Sequence, residues 1–370
     1  MRIGIDCRMY SSRFTGIGRY TKELVEQLIT LNKVQNFPHD FVLFFNNPEF
    51  HEFQPSPHVQ KILVNAKHYS FKEQTRFLRL LNKERLDLVH FAHFNIPIFY
   101  RRPYLVTIHD LTLSFFPGRK MRAFFYRLAY ALTIRNAVRR AKKIIAVSKH
   151  TKKDIIEQFH VPEEKIHVIY HGVNPEFTPI KDPKILAPTL KKFNINKDFL
   201  LYTGVWRSHK NLPNLIRAFD ILKRKTPDLD LVITGRPDPY YPEVKDIVHK
   251  LHLENDVVFT NLVTDKDLVH LYNAASIYTF PSLYEGFGLP PLEAMACATP
   301  VAASNLSSIP EICADNAVYF DPYDPTDIAN KIELLYKDPD LQAKLIQSGL
   351  QHAATFSWVG MAEKTFKLFQ

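Results

Sequence analysis

Glu285 and Glu293 stand with seven residues between them, around the turn Gly286-Phe287-Gly288-Leu289. An ionised carboxylate only accepts hydrogen bonds, so two of them beside one turn suit a ligand rich in hydroxyls, and a sugar is the obvious one. Gly286 and Gly288 let the backbone come close to such a ligand. A second set of residues suits phosphate. Gly204 is followed by Arg207 and Lys210 and then by a helical pattern, so cations and a helix N-terminus converge, as a diphosphate requires. Surface charge is the plain alternative for both cations. A third set is the polar pair His109-Asp110 after an apolar run; a lone histidine is more often structural, and an aspartate there also caps turns. A fourth, Gly16-Ile17-Gly18, lacks the third glycine of a dinucleotide fingerprint and reads equally as a loop that caps a helix.

These residues need elements to hold them. Ala275–Phe280 reads as a buried strand. Pro290 and Pro291 suit the start of a helix, and Leu292, Met295 and Ala296 give it an apolar face. Val301 begins another strand. This places Glu285 on the strand side of the turn and Glu293 in the first helical turn, beyond the carboxyl end of a strand, where open α/β sheets bind ligands. Arg2–Asp6, Phe41–Phe45, Gln60–Val64, Leu86–Phe91, Tyr104–Ile108, Lys143–Ser148 and Ile166–Tyr170 read as strands of a first half. Phe199–Gly204, Leu229–Gly235 and Asp256–Thr260 restart the pattern. The helices expected between them include Glu73–Lys83, Lys149–Phe159 with Ser148 as N-cap, and Asp265–Ala274. The fold class is α/β in two domains: residues 1–175, a proline-bearing linker over 176–197, residues 198–352, and a terminal helix over 353–370 that returns to the first domain.

At 370 residues with 46% hydrophobic content, two globular domains fit. Cys7, Cys297 and Cys313 are widely spaced, which fits a reducing, cytoplasmic setting. No run approaches the ~20 apolar residues of a membrane span. The net charge of +10 is uneven: residues 1–180 hold 28 Lys and Arg against 15 Asp and Glu. Arg119–Lys143 carries nine basic residues, no acidic one and interleaved aromatics. A basic helix of this kind fits an anionic membrane surface. A solvated helix packed on the sheet is the plain reading. Nucleic acid is the third, without a recognition motif to support it.

The run Phe280-Pro-Ser-Leu-Tyr-Glu-Gly-Phe-Gly-Leu-Pro-Pro-Leu-Glu-Ala-Met-Ala296 resembles the motif of the retaining glycosyltransferases of family 4, and the likeness extends over nearly the whole chain. The resemblance implies a GT-B architecture, two Rossmann-like domains facing across a cleft. It implies that Glu293 binds ribose hydroxyls, that Glu285 binds the transferred sugar, and that Gly286, Phe287, Gly288 and Leu289 line the donor. Lys210 takes the family's phosphate-binding lysine position; Arg207 is displaced from the family's arginine, whose place Val205 holds. Val263 would face the base. His109 would contact the transferred sugar, with Asp110 and the loop Gly16, Ile17, Gly18 at the acceptor or phosphate. His109, Glu285 and Lys210 are the implied catalytic set, with no metal and no cofactor. The expected donor is GDP-mannose. The expected acceptor is a glycan or a polyprenyl-linked sugar, reached from the inner face of a membrane and without nucleic acid. A GT-B epimerase or phosphorylase, and a nonenzymatic nucleic-acid-binding protein, are the alternatives. Products formed from donor alone or with phosphate, and a salt-sensitive duplex shift, would distinguish them.

Overall fold

A computed structural model of the chain describes residues 1–11, 14–118 and 124–370. Arg119, Lys120 and Arg122 of the basic segment therefore lie outside the described residues. The chain divides into two compact units, one of Met1–Leu111, Lys120–Gly172 and Ser357–Gln370, the other of Thr112–Arg119 and Val173–Phe356.

The first unit is built on a seven-stranded parallel sheet. Its strands are β1 (Arg2–Asp6), β2 (Asp40–Phe45), β3 (Val59–Leu63), β4 (Leu88–Phe91), β5 (Tyr104–Ile108), β6 (Lys143–Ala146) and β7 (Ile166–Val168), in the order β3-β2-β1-β4-β5-β6-β7. The central strands are buried along their whole length, which is why they read as continuous apolar runs rather than alternating ones. Arg8, just past β1, is fully enclosed. Its guanidinium meets Asp6 at 2.8 Å and Glu73 at 2.7 Å, donates to the Asn95 carbonyl at 2.8 Å, and lies over the Phe77 ring. The helix Thr15–Val34 starts at Thr15, so Gly16, Ile17 and Gly18 form its first turn rather than a free loop ahead of it. The basic segment contributes one described helix, Phe124–Arg140.

The expected terminal helix over 353–370 is split. The helix Pro339–Ala353 of the second unit ends at Ala353, and a new one, Trp358–Lys367, capped by Ser357, packs on Thr15–Val34 in the first unit. Gly172 permits this: a Cβ there would lie 2.1 Å from the Trp358 nitrogen. Lys143 Nζ donates to the Leu368 carbonyl at 3.0 Å.

The second unit holds a six-stranded parallel sheet of β8 (Asp198–Thr203), β9 (Leu229–Thr234), β10 (Val257–Asn261), β11 (Ile277–Phe280), β12 (Val301–Ser304) and β13 (Val318–Phe320). The order β10-β9-β8-β11-β12-β13 reverses direction between β8 and β11. That is the doubly wound order, with a crevice at the reversal. Close approach at the strand ends depends on glycine: Gly235 has φ +125°, and a Cβ there would lie 2.0 Å from the Gly204 carbonyl oxygen. The stretch read as a linker, 176–197, contains the helix Pro183–Lys192, which packs on Asp265–Ala274. Asp182 caps it by accepting from the Lys184 amide, and Pro183 takes the first position, where its missing N–H costs nothing. The short helix Thr112–Phe115 also belongs to this unit; Phe115 lies 5.0 Å from Tyr284, ring to ring.

Candidate active site

The crevice between β8 and β11 is where most of the expected residues meet. The chain leaves β8 through Gly204, makes a tight turn over Ser208–Lys210, and places Asn211 at φ 58° before the helix Leu212–Lys223. Asn211 Nδ2 donates to the carbonyls of Pro281 and Pro322, and the Leu283 amide donates to the His209 carbonyl at 2.7 Å. The loops after β8 and β11 are thus laced together by the Asn211 side chain and a main-chain bond. Across the lacing, Lys210 Nζ lies 2.6 Å from Glu285 Oε1. Burial, with Lys210 next, pushes His209 down to about 2, so a neutral ring sits beside the ammonium. Glu285 is held by its main chain. Its amide donates to Ser307 Oγ at 3.0 Å, and its carbonyl accepts from Ser307 at 2.7 Å and Ser308 at 3.0 Å. Ser308 also donates to the Phe287 carbonyl at 2.8 Å. A paired ammonium and carboxylate at a strand-end crevice can divide between an anion and a hydroxyl group.

Glu293 is not in the first helical turn. The helix runs Leu289–Ala296 with Gly288 as its left-handed N-cap, so Glu293 is one turn in, and it is only 4% exposed. Interaction with the helix dipole falls off within the first turn and does not account for it. Its Oε2 accepts instead from the Tyr272 hydroxyl at 3.1 Å. Pro290 and Pro291 carry no N–H, so the first turn offers amide donors only from Leu289 and Leu292. Val263 is half-buried in the loop after β10, whose base is tied to β9 by the Gly235 amide bonding the Asn261 carbonyl. Arg207 is exposed, unlike Lys210.

In the first unit, His109 follows β5 and is buried. Its Nε2 lies 2.8 Å from the Ala92 carbonyl, which can only accept, so Nε2 carries the proton and Nδ1 is left as an acceptor. Burial lowers its pKa and keeps the ring neutral. Tyr20 meets it edge-on at 4.7 Å, and His171 and His93 lie at 5.6 and 6.2 Å. Asp110 is half-buried beside it. Gly18 packs under the Ser11 carbonyl, where a Cβ would come within 1.8 Å, while Gly16 has open space. His109, Asp110 and Gly16–Gly18 thus belong to the first unit, and the other expected residues to the second.

Residues 14–177 match the domain described as Glycosyltransferase Family 4, and residues 189–352 that described as Glycosyl transferases group 1. The chain is a family 4 glycosyltransferase. The glycosyltransferase is 27% identical to the O-antigen chain mannosyltransferase B of Escherichia coli, over 96% of both chains. It is 30% identical to the O-antigen chain mannosyltransferase RfbU of Salmonella typhimurium, over 68% of this chain and 66% of that one. Among solved structures, sucrose-phosphate synthase from Thermosynechococcus elongatus superposes with a TM-score of 0.81 at 20% identity, over 100% of this chain and 98% of that one. That likeness shows the GT-B fold.

Beside the residues named in advance, the glycosyltransferase has others that its sequence marked weakly or not at all. Ser307-Ser308 before a proline was visible as a pattern, but its grip on Glu285 was not. Tyr272, Thr203 and Tyr278 carried no signal, since each reads as an ordinary residue of a helix or strand. In the structure Thr203 Oγ1 lies 3.0 Å from Tyr272 Oη and 3.1 Å from Tyr278 Oη, directly behind Glu293.

Proposed function

We propose that this glycosyltransferase moves mannose from GDP-mannose to a hydroxyl of a glycan or polyprenyl-linked acceptor, with retention at the anomeric carbon and without a metal. The Lys210–Glu285 pair at the reversal between β8 and β11 carries the reading, with Glu293 buried behind the adjoining helix N-terminus. In it, Glu293 takes the ribose hydroxyls and Val263 borders the base. Glu285 takes a hydroxyl of the sugar. Lys210, with Arg207 and the amides of the Gly286–Leu289 turn, meets charge growing on the leaving diphosphate. The mannosyltransferase relatives support the choice of sugar. A panel of nucleoside diphosphate sugars, turned over in excess chelator with the product anomer read by NMR, tests it. Inverted product, or a requirement for added metal, would overturn it. So would product formed from donor alone or with phosphate, which would instead indicate an epimerase or a phosphorylase.

His109 acts on the sugar in this reading, not on the nucleotide. A contact made only with the reacting sugar changes turnover more than nucleotide affinity. His109→Ala is therefore expected to lower kcat by roughly 10²-fold and to leave the Kd for GDP nearly unchanged. Glu293→Ala should weaken GDP itself. Calorimetric titration beside steady-state rates separates them; equal loss of GDP affinity in both variants would place His109 in the nucleotide site or in the fold alone.

The helix Phe124–Arg140 supports docking on an anionic membrane. Phe125, Tyr126, Leu128 and Leu132 are exposed, Phe125 at 80%, and Arg127, Arg135, Arg139 and Arg140 are exposed along the same helix. Exposed apolar residues flanked by arginines suit a headgroup region better than water, and each cation near such a surface contributes ~1 kcal/mol. No helix among the described residues is long and apolar enough to cross a membrane. Flotation should show binding that rises with the anionic lipid fraction and falls with salt, and Phe125→Ser with Leu132→Ser should weaken it. Equal recovery on neutral and anionic vesicles would reject this docking.

A further inference from the structure

The polar groups behind Glu293 form one chain with a single allowed direction. An ionised carboxylate can only accept, so Tyr272 donates its hydroxyl proton to Glu293 Oε2 over 3.1 Å. Having donated, the Tyr272 oxygen can accept from Thr203 Oγ1 at 3.0 Å. Thr203 has one proton and spends it there, so its contact with Tyr278 at 3.1 Å must be received from the Tyr278 hydroxyl. The order is Tyr278 to Thr203 to Tyr272 to Glu293. Each hydroxyl is nine-tenths buried or more, and each polarises the next in a medium that screens poorly. The members come from β11, β8 and one helix, so the chain ties Glu293 to three elements of the donor-side sheet.

We propose that Tyr272 is a positioning residue for Glu293, and that the relay from Tyr278 through Thr203 holds that carboxylate aimed at ribose hydroxyls, setting the preference for ribonucleotide over deoxyribonucleotide donors. This rests on the reading of Glu293 as the ribose-binding carboxylate. Two features favour a positioning role over simple core satisfaction. A buried glutamate on a helix needs a fixed rotamer to present its carboxylate to a ligand, and the Tyr272 bond, backed by Thr203 and Tyr278, fixes that rotamer. Burial first, and the Glu293 charge next, also hold the Tyr272 hydroxyl well above its ordinary pKa, so it stays a donor throughout the physiological range. Burial does the same for Tyr278.

The test compares GDP with 2′,3′-dideoxy-GDP, and UDP with 2′,3′-dideoxy-UDP, by titration calorimetry on the full chain. Tyr272→Phe should weaken the ribonucleotide that binds by about fivefold, the worth of one indirect hydrogen bond to a charged group, and leave its dideoxy analogue within about twofold of native. Combined with Glu293→Gln it should add nothing further, because its effect passes through that carboxylate. Tyr278→Phe should give a smaller loss of the same ribose-selective kind, and it serves should Tyr272→Phe fold poorly. Equal loss on both nucleotides, full additivity with Glu293→Gln, or no ribose-selective loss in Tyr278→Phe would overturn the relay. If Glu293→Gln itself weakens ribo and dideoxy nucleotides alike, the ribose assignment has failed instead.

Discussion

Transfer by Glu285→Gln and by Lys210→Ala is expected to fall by ~10²–10³ in kcat, with the melting transitions of the chain near those of the native protein. Glutamine keeps the shape of Glu285 but loses its charge and replaces one acceptor oxygen with an NH2 donor, so it holds the Lys210 ammonium weakly and offers a sugar hydroxyl fewer acceptors. The main-chain bonds from Ser307 and Ser308 do not involve the side chain, so the loop should stay in place. Removing Lys210 takes away the ammonium 2.6 Å from that carboxylate and, in the proposed reading, leaves the charge of Glu285 facing the departing diphosphate. Since the two groups act as a pair, the double variant should lose far less than the product of the two single losses. The measurement is single-turnover transfer at saturating donor. Native rates in both variants would remove the pair from the reaction.

The second large effect is on stability. Arg8→Ala should destabilise the first unit by about 3–5 kcal/mol, the cost of leaving buried charges without their partner. Asp6 and Glu73 both lose their ion pair, and the Asn95 carbonyl loses its donor. Replacing all three charged residues together, as Arg8→Met with Asp6→Asn and Glu73→Gln, should recover much of that, because the penalty lies in the unpaired charges rather than in the missing pair. Denaturant unfolding of the three proteins decides it. A single variant within about 1 kcal/mol of native would mean that solvent reaches the site.

What could be read ahead of the structure follows physical lines. Strands such as Tyr104–Ile108 announce themselves because both faces of a parallel sheet are covered, so every position is buried and all but Thr107 are apolar. The helix Asp265–Ala274 was legible to the residue, with Thr264 accepting from the Asp267 amide as its cap. Glu293 was misplaced by a turn because local sequence does not say which residue of Gly-Leu-Pro-Pro begins the helix. Pro183–Lys192 was hidden by its prolines, although one of them sits where proline favours a helix. The Tyr272–Thr203 and Tyr278–Thr203 contacts span 69 and 75 residues of chain, and no spacing rule reaches that far. For Phe115, nothing nearby in the sequence indicated which unit its helix would join.

The place of the helix Trp358–Lys367 bears on how this protein is made. A ribosome delivers the chain from its N-terminus, and domains generally fold in that order as they emerge. Here the order is reversed for completion. All of Val173–Phe356 is delivered before Trp358–Lys367, which belongs with the unit begun at Met1. Until it arrives, the face of Thr15–Val34 that it covers stays open, along with His39 and His90, whose rings lie 4.9 Å from Phe366 and 6.2 Å from Phe369. The nascent protein therefore carries an apolar surface through the synthesis of an entire second unit.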